Sequence, residues 1–334
     1  MSVEAAPTPT PNAGLRQAAS VMRRGGRIRD YGIVVALVAI VIALSLSTST
    51  FLTTGNMINL LDQCADIGLL AAGATICILS GVFDLTASAS LALAAIVGVD
   101  VTRVAGIPLG FVAAVAAGAG IGFVTGTVVV RSGVNSFIAT LATSIVYRGL
   151  AVVVTGGAII YPLTRQASDF AVLTWPSLFH LTSATIVFIV ADAIIAVVVA
   201  TTTFGRRIYA VGGNSEAARL SGIRTGQIHV AVYMVSGICS ALAGLILASR
   251  AGSANSSMAT GEELTAIAAA VIGGTSILGG EGAIWRGVVG ALLLTLISNG
   301  FNLLGWNTTY LQVVTGCLIL FAVAVDRALR QQRE

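Results

Sequence analysis

The sequence predicts an all-α, polytopic membrane protein with about ten transmembrane helices and with both termini in the cytoplasm. Of its 334 residues, 56% are hydrophobic and only 10% are charged, whereas about a quarter of the residues in an ordinary soluble domain are charged. Apolar runs that approach the roughly 20 residues of a transmembrane helix recur along nearly the whole chain after residue 30. A surface with this composition requires a bilayer as its solvent.

The apolar runs define ten predicted spans, which lie near 31–51, 58–80, 88–105, 107–130, 135–156, 184–204, 227–249, 262–279, 284–303 and 309–326. They form one transmembrane domain, 31–328, between an arginine-rich tail at 1–30, expected to be disordered, and a short tail at 329–334. The stretch LSGVFDLTASAS at 79–90 interrupts the second and third spans with small and polar residues. We therefore expect a broken or re-entrant helix there.

The arginines predict the orientation of the spans. Basic residues concentrate in cytoplasmic loops, and the arginine-rich first 30 residues put the N-terminus in the cytoplasm. Ten spans then place the loop at 205–226 and the C-terminus in the cytoplasm, and the segments 157–183 and 250–260 outside. The remaining arginines that this topology puts in the cytoplasm are Arg131, Arg206, Arg207, Arg219, Arg224, Arg286, Arg327, Arg330 and Arg333.

The residue types exclude several classes of function. All eighteen basic residues are arginine, so the chain lacks the lysine of a phosphate-binding loop and the lysine of a Schiff base. Any ATP hydrolysis must come from another chain. The arginines are dispersed around apolar spans and form no continuous basic face, which argues against nucleic-acid binding.

The cysteines and histidines predict no metal or redox site. The cysteines lie in apolar stretches without the spacing of a metal or redox motif, which favours small core residues. The histidines are far apart in the sequence, and neither has a cysteine or acidic cluster near it. These residues are Cys64, Cys77, Cys239, Cys317, His180 and His229.

The longest predicted cytoplasmic loop contains the string SEAARL, which is typical of a short helix. Asn214 or Ser215 can cap its N-terminus, Glu216 and Arg219 suit the two ends of the helix dipole, and Gly222 can end the helix. A short helix held between two spans can dock a partner protein. From physical chemistry alone, a solvated turn explains the string equally well.

Four stretches resemble the ribose-type membrane permeases of bacterial ABC sugar importers. They are GRRIYAVGGNSEAARLSGI (205–223), LSGVFDLTASASLALAA (79–95), NSFIATLATSIVYRGLA (135–151) and the segment 261–305. The first is similar to the cytoplasmic coupling loop of that family. The chain departs from the family pattern at Val82, Phe83, Thr86, Ala89, Asn135 and Ala142.

The resemblance implies a transport subunit that is not itself an enzyme, in a bacterial cytoplasmic (inner) membrane. Its expected partners are a second permease subunit, a sugar-type ABC ATPase that binds ATP and magnesium, and an extracytoplasmic substrate-binding protein. No cofactor is expected in this chain. The residues that the resemblance assigns to ATPase coupling are Asn214, Glu216, Ala217, Ala218, Arg219, Ser221 and Gly222, with the two alanines in closest contact with the ATPase.

Polar residues within apolar spans are candidates for the translocation path, because charged and polar groups at membrane depth are costly and often functional. We take Ser80, Asp84, Asn135, Ser136, Asp192, Asn299 and Asn302 as these candidates. Asp192 could be a proton relay, but pairing with Arg148 or lining a polar cavity is the favoured interpretation. For Glu263, a capping box with Thr260 at a helix start is the favoured interpretation.

Three other functions remain as alternatives. An ion-coupled secondary transporter would use Asp62, Asp66 and Asp192. A membrane-embedded hydrolase would need His180 or His229 as its base, and neither lies in a catalytic motif. A branched-chain amino-acid permease is a nearer relative, but the coupling-loop pattern favours the sugar branch.

Overall fold

The computed structural model describes residues 33–177, 181–307, 309–311, 313–318, 320 and 324. In these residues it is almost entirely helical, with isolated β-bridges Ile160–Ala254 and Pro176–Thr182 and no strand. The predicted tails 1–30 and 329–334, His180 and the last three arginines lie outside the described residues. The all-α class is confirmed for the part of the chain that is described.

The helices follow the predicted apolar runs. In chain order they are α1 Ile33–Ser47, α2 Thr54–Leu79, α3 Ala87–Ala105, α4 Ile107–Ser132, α5 Ser136–Thr155, α6 Ala167–Phe170, α7 Ser183–Thr201, α8 Thr203–Gly213, α9 Ser215–Leu220, α10 Thr225–Ala251, α11 Glu262–Ile272 and α12 Ile284–Leu303. Short 3₁₀ turns at Thr164–Gln166 and Ala171–Thr174 flank α6. Residues 309–311 and 313–318 are also helical.

Four helices form the centre of the bundle, and three lie at its periphery. More than half of the apolar length of α2, α3, α10 and α12 is buried within the protein, whereas less than a third of that of α4, α5 and α7 is buried. Small residues bring α4 and α10 into backbone contact: a methyl group on Gly122 would lie 2.2 Å from the Tyr233 carbonyl oxygen. Glycine thus permits the close helix packing that is typical of membrane bundles.

Seven helices in the described residues are long and apolar enough to cross a membrane: α2, α3, α4, α5, α7, α10 and α12. The prediction of a continuous span at 262–279 is wrong, because α11 ends at Ile272 after 11 residues, a length of about 16 Å. Beyond it the backbone of Gly274, Gly279 and Gly280 has positive φ, which a helix cannot accommodate. The described part of α1 has 15 residues, Ile33–Ser47, and falls below the same length criterion.

The bundle has two distinct ends. The helices α8 and α9 lie at the end where α2, α4 and α7 finish, which we call the α8–α9 end. At the opposite end the predicted outer segments 157–183 and 250–260 meet, since Ile160 and Ala254 exchange two backbone hydrogen bonds of 2.8 Å. Their placement at one end agrees with the predicted topology.

Candidate functional site

The predicted short helix is present as α9, Ser215–Leu220. The Asn214 side chain caps it by accepting a hydrogen bond of 2.9 Å from the Ala217 N–H. Gly222 follows with φ of +83°, a conformation that glycine adopts without strain. Arg219 pairs with Glu216 across one turn, at 2.6 Å. Local sequence signals therefore predicted this helix and both of its ends correctly.

The expectation that Ala218 contacts a partner protein is wrong. Ala218 is 5% exposed and belongs to a cluster of buried residues with Ile208, Val211 and Ile228. It therefore attaches α9 to the body of the protein, because a buried methyl group cannot touch another chain. Ala217 remains exposed.

Leu220 is the apolar residue that α9 presents outward, and the sequence analysis missed it. It is 77% exposed at the last position of the helix. Exposed leucine is common on its own, but here it stands beside the exposed Ala217, Arg219 and Ser221. A single leucine in a loop of polar and small residues forms no periodic apolar pattern, so its exposure could not be predicted from the sequence.

Glycine residues join α8 to the ends of two other segments. Gly212 lies against Leu79, the last residue of α2, and a methyl group on Gly212 would be 1.9 Å from the Leu79 carbonyl oxygen and 2.8 Å from the Gly280 nitrogen. The Gly280 N–H donates to the same Leu79 oxygen at 3.0 Å. We call Gly81, Gly212, Gly279 and Gly280 the glycine junction.

Tyr209 makes a second connection from α8 to the segment between α11 and α12. Its hydroxyl donates a hydrogen bond of 2.9 Å to the Gly282 carbonyl oxygen. Burial raises the pKa of Tyr209, so the phenol keeps its proton and remains a donor at neutral pH. The α8–α9 unit is thereby fixed to the irregular backbone at 273–283 by both packing and hydrogen bonding.

The predicted break between the second and third spans is present as an extended segment. Residues 82–86 are non-helical between α2 and α3, and side chains from other helices satisfy their backbone groups. The Phe83 N–H donates to the Ser136 hydroxyl at 3.1 Å, and the Tyr233 hydroxyl donates to the Phe83 carbonyl at 2.7 Å. Such pairing is what non-helical backbone within a membrane requires.

Asp84 lies in this extended segment and is 4% exposed. Its carboxylate accepts three hydrogen bonds, from the Thr86 N–H at 2.8 Å, the Thr86 hydroxyl at 2.5 Å and the Ser236 hydroxyl at 2.7 Å. Ser236 lies about 16 Å along α10 from Thr225, at 1.5 Å per residue. Asp84 thus fixes the start of α3 to the middle of α10, well inside the bundle.

Three of the other path candidates surround the ends of this segment. Ser80 is buried, and its hydroxyl donates to the Cys77 carbonyl at 2.8 Å. The Asn135 side chain caps α5 by accepting from the Phe137 N–H at 2.9 Å. Ser136 supports Phe83, as described above. The structure therefore brings Ser80, Asp84 and Ser136 to one region through the extended segment.

Asp192 does not pair with Arg148, so the predicted ion pair is wrong, whereas the alternative that Asp192 lines a polar cavity stays a prediction. The Arg148 guanidinium instead donates to the carbonyls of Ser256 and Met258, at 2.7 and 2.9 Å, and to the Ser88 hydroxyl at 3.0 Å. Both carboxylate oxygens of Asp192 are buried without a hydrogen-bond partner in the described residues. The Arg148 guanidinium is therefore hydrogen-bonded to backbone carbonyls of the 252–261 segment and makes no contact with the Asp192 carboxylate.

The predicted capping box of Thr260 and Glu263 is also absent. Helix α11 begins at Glu262 and its N-cap is Gly261, which has φ of +90° and offers no side chain. The Thr260 hydroxyl donates backward to the Ser257 carbonyl at 2.7 Å. The left-handed glycine turns the chain after Thr260, and this moves its hydroxyl away from the helix start.

The two asparagines of α12 have different environments. Asn299 is 4% exposed and forms a reciprocal amide pair with Asn56 of α2, with hydrogen bonds of 2.9 and 3.1 Å. Asn302 is exposed. Neither contacts Asp84 in the hydrogen bonds of the described residues, so the path candidates do not form one cluster.

The sequence is similar to known transport proteins along most of its length. Residues 56–323 match the family described as branched-chain amino acid transport system / permease component. The ribose import permease protein of Escherichia coli (strain K12) is 38% identical over 301 residues, which cover 87% of this chain and 92% of that protein.

Two further relatives show the same extent of similarity. The ribose import permease protein of Bacillus subtilis (strain 168) is 39% identical over 306 residues, covering 90% of this chain and 94% of that protein. The D-allose transport system permease protein of Escherichia coli (strain K12) is 34% identical over 307 residues, covering 88% and 90%. No solved structure matches the chain.

Proposed function

The chain belongs to the family of transport-system permease components, and from this we propose that it is the membrane permease subunit of a binding-protein-dependent ABC importer for a monosaccharide or related polyol. The single observation that carries the proposal is the similarity over about nine-tenths of the chain to permeases for ribose and D-allose. The family description also covers permeases for branched-chain amino acids, and these remain the second candidate.

The proposed complex has two permease subunits, a sugar-type ABC ATPase and an extracytoplasmic substrate-binding protein, in a bacterial cytoplasmic (inner) membrane. This chain has no lysine for a phosphate-binding loop, which supports an ATPase supplied by another chain that binds ATP and magnesium. The α8–α9 end offers an exposed short helix that is rigidly attached to the bundle, and this is what a docking element requires.

The proposed topology has ten spans, with the α8–α9 end in the cytoplasm. The arginines support this orientation, because six of them, Arg131, Arg206, Arg207, Arg219, Arg224 and Arg286, lie at the α8–α9 end, whereas three, Arg103, Arg165 and Arg250, lie toward the opposite end. Basic residues favour the cytoplasmic side. The three spans beyond the seven long helices would be supplied by α1, by the helical residues after 308 and by α11 together with the non-helical backbone at 273–283 that follows it.

Two carboxylates that an ion-coupled transporter would use are already occupied. Asp66 pairs with Arg250 at 2.7 Å. Asp62 accepts hydrogen bonds from the hydroxyls of Thr182 and Thr185. These contacts hold α2 against α10 and α7, so their arrangement supports a structural role and weakens the alternative of a proton-coupled or sodium-coupled carrier.

Transport by the reconstituted complex tests the proposal. Proteoliposomes should contain this permease and its ATPase with ATP on the α8–α9 side, and the binding protein should be added on the other side. Uptake of a labelled monosaccharide should require ATP and the binding protein and should survive a proton ionophore. Uptake that follows a proton or sodium gradient without ATP would contradict the proposal, and uptake of leucine in place of sugars would select the amino-acid branch.

A further inference from the structure

A groove of about 570 Å³ lies between α4 and α10 at the α8–α9 end of the bundle. Its mouth is basic, with Arg131 on the last turn of α4 and Arg224 immediately before α10. Its remaining lining is mostly apolar and includes Phe123, Val230 and Met234. The groove therefore combines two cations at one end with a hydrocarbon surface along its length.

The two arginines are available to an anion. Neither Arg131 nor Arg224 forms an ion pair with another described residue. Both of these side chains are exposed. Two guanidinium groups that line one groove favour a phosphate group, which accepts several charge-assisted hydrogen bonds.

The apolar part of the groove extends along α4 and α10, away from the two arginines, and lies on the outer surface of the bundle. Phe123 and Met234 lie about 12 and 15 Å along their helices from the two arginines, at 1.5 Å per residue. Phe123 and Val130 are 52% and 39% exposed, and α4 is a peripheral helix. A water-soluble partner would not follow an apolar surface over this length, whereas an acyl chain of the surrounding bilayer would.

The groove has fixed walls because its two helices touch through their backbones. A methyl group on Gly126 would lie 2.7 Å from the Val230 Cα, and one on Gly118 would lie 2.3 Å from the Gly237 carbonyl oxygen. At the mouth, Gly226 makes room for the Val130 side chain, which would lie 2.9 Å from an added methyl group. The close packing of α4 against α10 therefore fixes the helix ends that carry the two arginines, whether or not a ligand is bound.

We propose that this groove binds one anionic phospholipid, with the phosphate between Arg131 and Arg224 and an acyl chain along Phe123, Val230 and Met234. The ligand class follows from the charge at the mouth and the apolar length behind it, since basic pockets between transmembrane helices bind anionic headgroups. The site includes neither α9 nor Asp84, although Arg224 lies at the end of the 205–226 loop that carries α9, and it does not depend on which solute the protein transports.

Native mass spectrometry of the permease–ATPase complex tests the site. The complex is titrated with phosphatidylglycerol or phosphatidylcholine of identical acyl chains, and the lipid retained on the permease subunit is measured. The wild type should retain phosphatidylglycerol preferentially. Arg131→Gln with Arg224→Gln should reduce that preference by about fivefold for each arginine, whereas Arg206→Gln with Arg207→Gln, which removes the same charge from α8, should not change it.

A second variant tests the apolar part of the groove. Ala231 also lines it, so Ala231→Phe should reduce the binding of phosphatidylglycerol while both arginines remain. Equal lipid preference in the wild type and the Arg131/Arg224 variant would overturn the proposal. Full displacement of the lipid by inorganic phosphate would also overturn it, because the site would then recognise only an anion. Lipid retention by the permease alone but not by the permease–ATPase complex would assign the two arginines to the protein interface and would also overturn the proposal.

Discussion

Gly212 of α8 and Leu79 of α2 are in backbone contact, so closely that a methyl group on Gly212 would lie 1.9 Å from the Leu79 carbonyl oxygen. Leu79 is the last residue before the turn that leads into the extended segment of Asp84. A displacement of α8 would therefore act directly on the end of α2 and on the Gly279–Gly280 turn. The contact gives the proposed coupling unit a short physical route to the centre of the bundle.

The neighbouring glycines of α8 provide a matched test of this contact. Gly212→Ala should lower the free energy of unfolding by roughly 1–3 kcal/mol through overpacking and should weaken the stimulation of ATP hydrolysis by substrate. Gly213→Ala should change neither, because a methyl group on Gly213 has no atom within 4 Å. Thermal unfolding of the purified complex and its ATPase rate measure the two effects. Equal behaviour of the two variants would show that the glycine junction carries no constraint.

The hydroxyl of Tyr209 is the second link from α8. Tyr209→Phe keeps the ring but leaves the Gly282 carbonyl without its donor, and we expect a loss of about 1 kcal/mol of stability. The stability losses of Tyr209→Phe and Gly212→Ala should add in the double variant if the two contacts act independently. A combined loss that differs from the sum would show that the two contacts act as one unit. A double-mutant cycle by thermal unfolding measures the combined loss. Unchanged stability of Tyr209→Phe would show that this hydrogen bond does not hold α8 in place.

Asp84 is expected to be necessary for transport but not for assembly with the ATPase. Asp84→Ala leaves three donors on Thr86 and Ser236 unsatisfied and should abolish uptake, while Asp84→Asn, which keeps one acceptor oxygen, should reduce it less. Asp100→Asn is a suitable control, since Asp100 is exposed and pairs only with Arg103 at 3.4 Å. Normal uptake by Asp84→Ala, measured alongside co-purification with the ATPase, would show that these hydrogen bonds are dispensable.

Local signals in the sequence were sufficient for much of the structure. Long apolar runs predicted most helices, the small and polar residues around Asp84 predicted the break before α3, and Asn214 with Gly222 predicted α9. These features depend on a few adjacent residues. Gly274 and Gly279 fall within the predicted span 262–279 because the residues around them are apolar, although their positive φ values do not fit a continuing helix.

Contacts between distant segments could not be predicted in the same way. Arg148 selects the carbonyls of Ser256 and Met258, which lie more than a hundred positions away. Ala218 and Leu220 are two residues apart on one short helix, yet one is buried and the other exposed. Which face of a two-turn helix points inward depends on the surface it lies on, and the string SEAARL does not contain that information.

The topology can be tested by cysteine labelling in intact cells. The variant Cys317→Ser is a suitable background, because Cys64, Cys77 and Cys239 are buried. With this background, Ser253→Cys should react with a membrane-impermeant maleimide, and Ser215→Cys should react only after the cells are permeabilised. The reverse pattern would place the α8–α9 end outside the cell and would contradict the proposed orientation.

Crosslinking at Leu220 tests the central claim most directly, namely that α9 docks on an ATPase. A photoreactive amino acid at Leu220 should crosslink to the ATPase subunit in the assembled complex, because this side chain is 77% exposed at the end of α9. The same probe at Val134, which is 47% exposed at the same end of the bundle but outside α8 and α9, should crosslink far less. Equal crosslinking at the two positions, or none at Leu220 in an active complex, would contradict the assignment of α9 as the coupling helix.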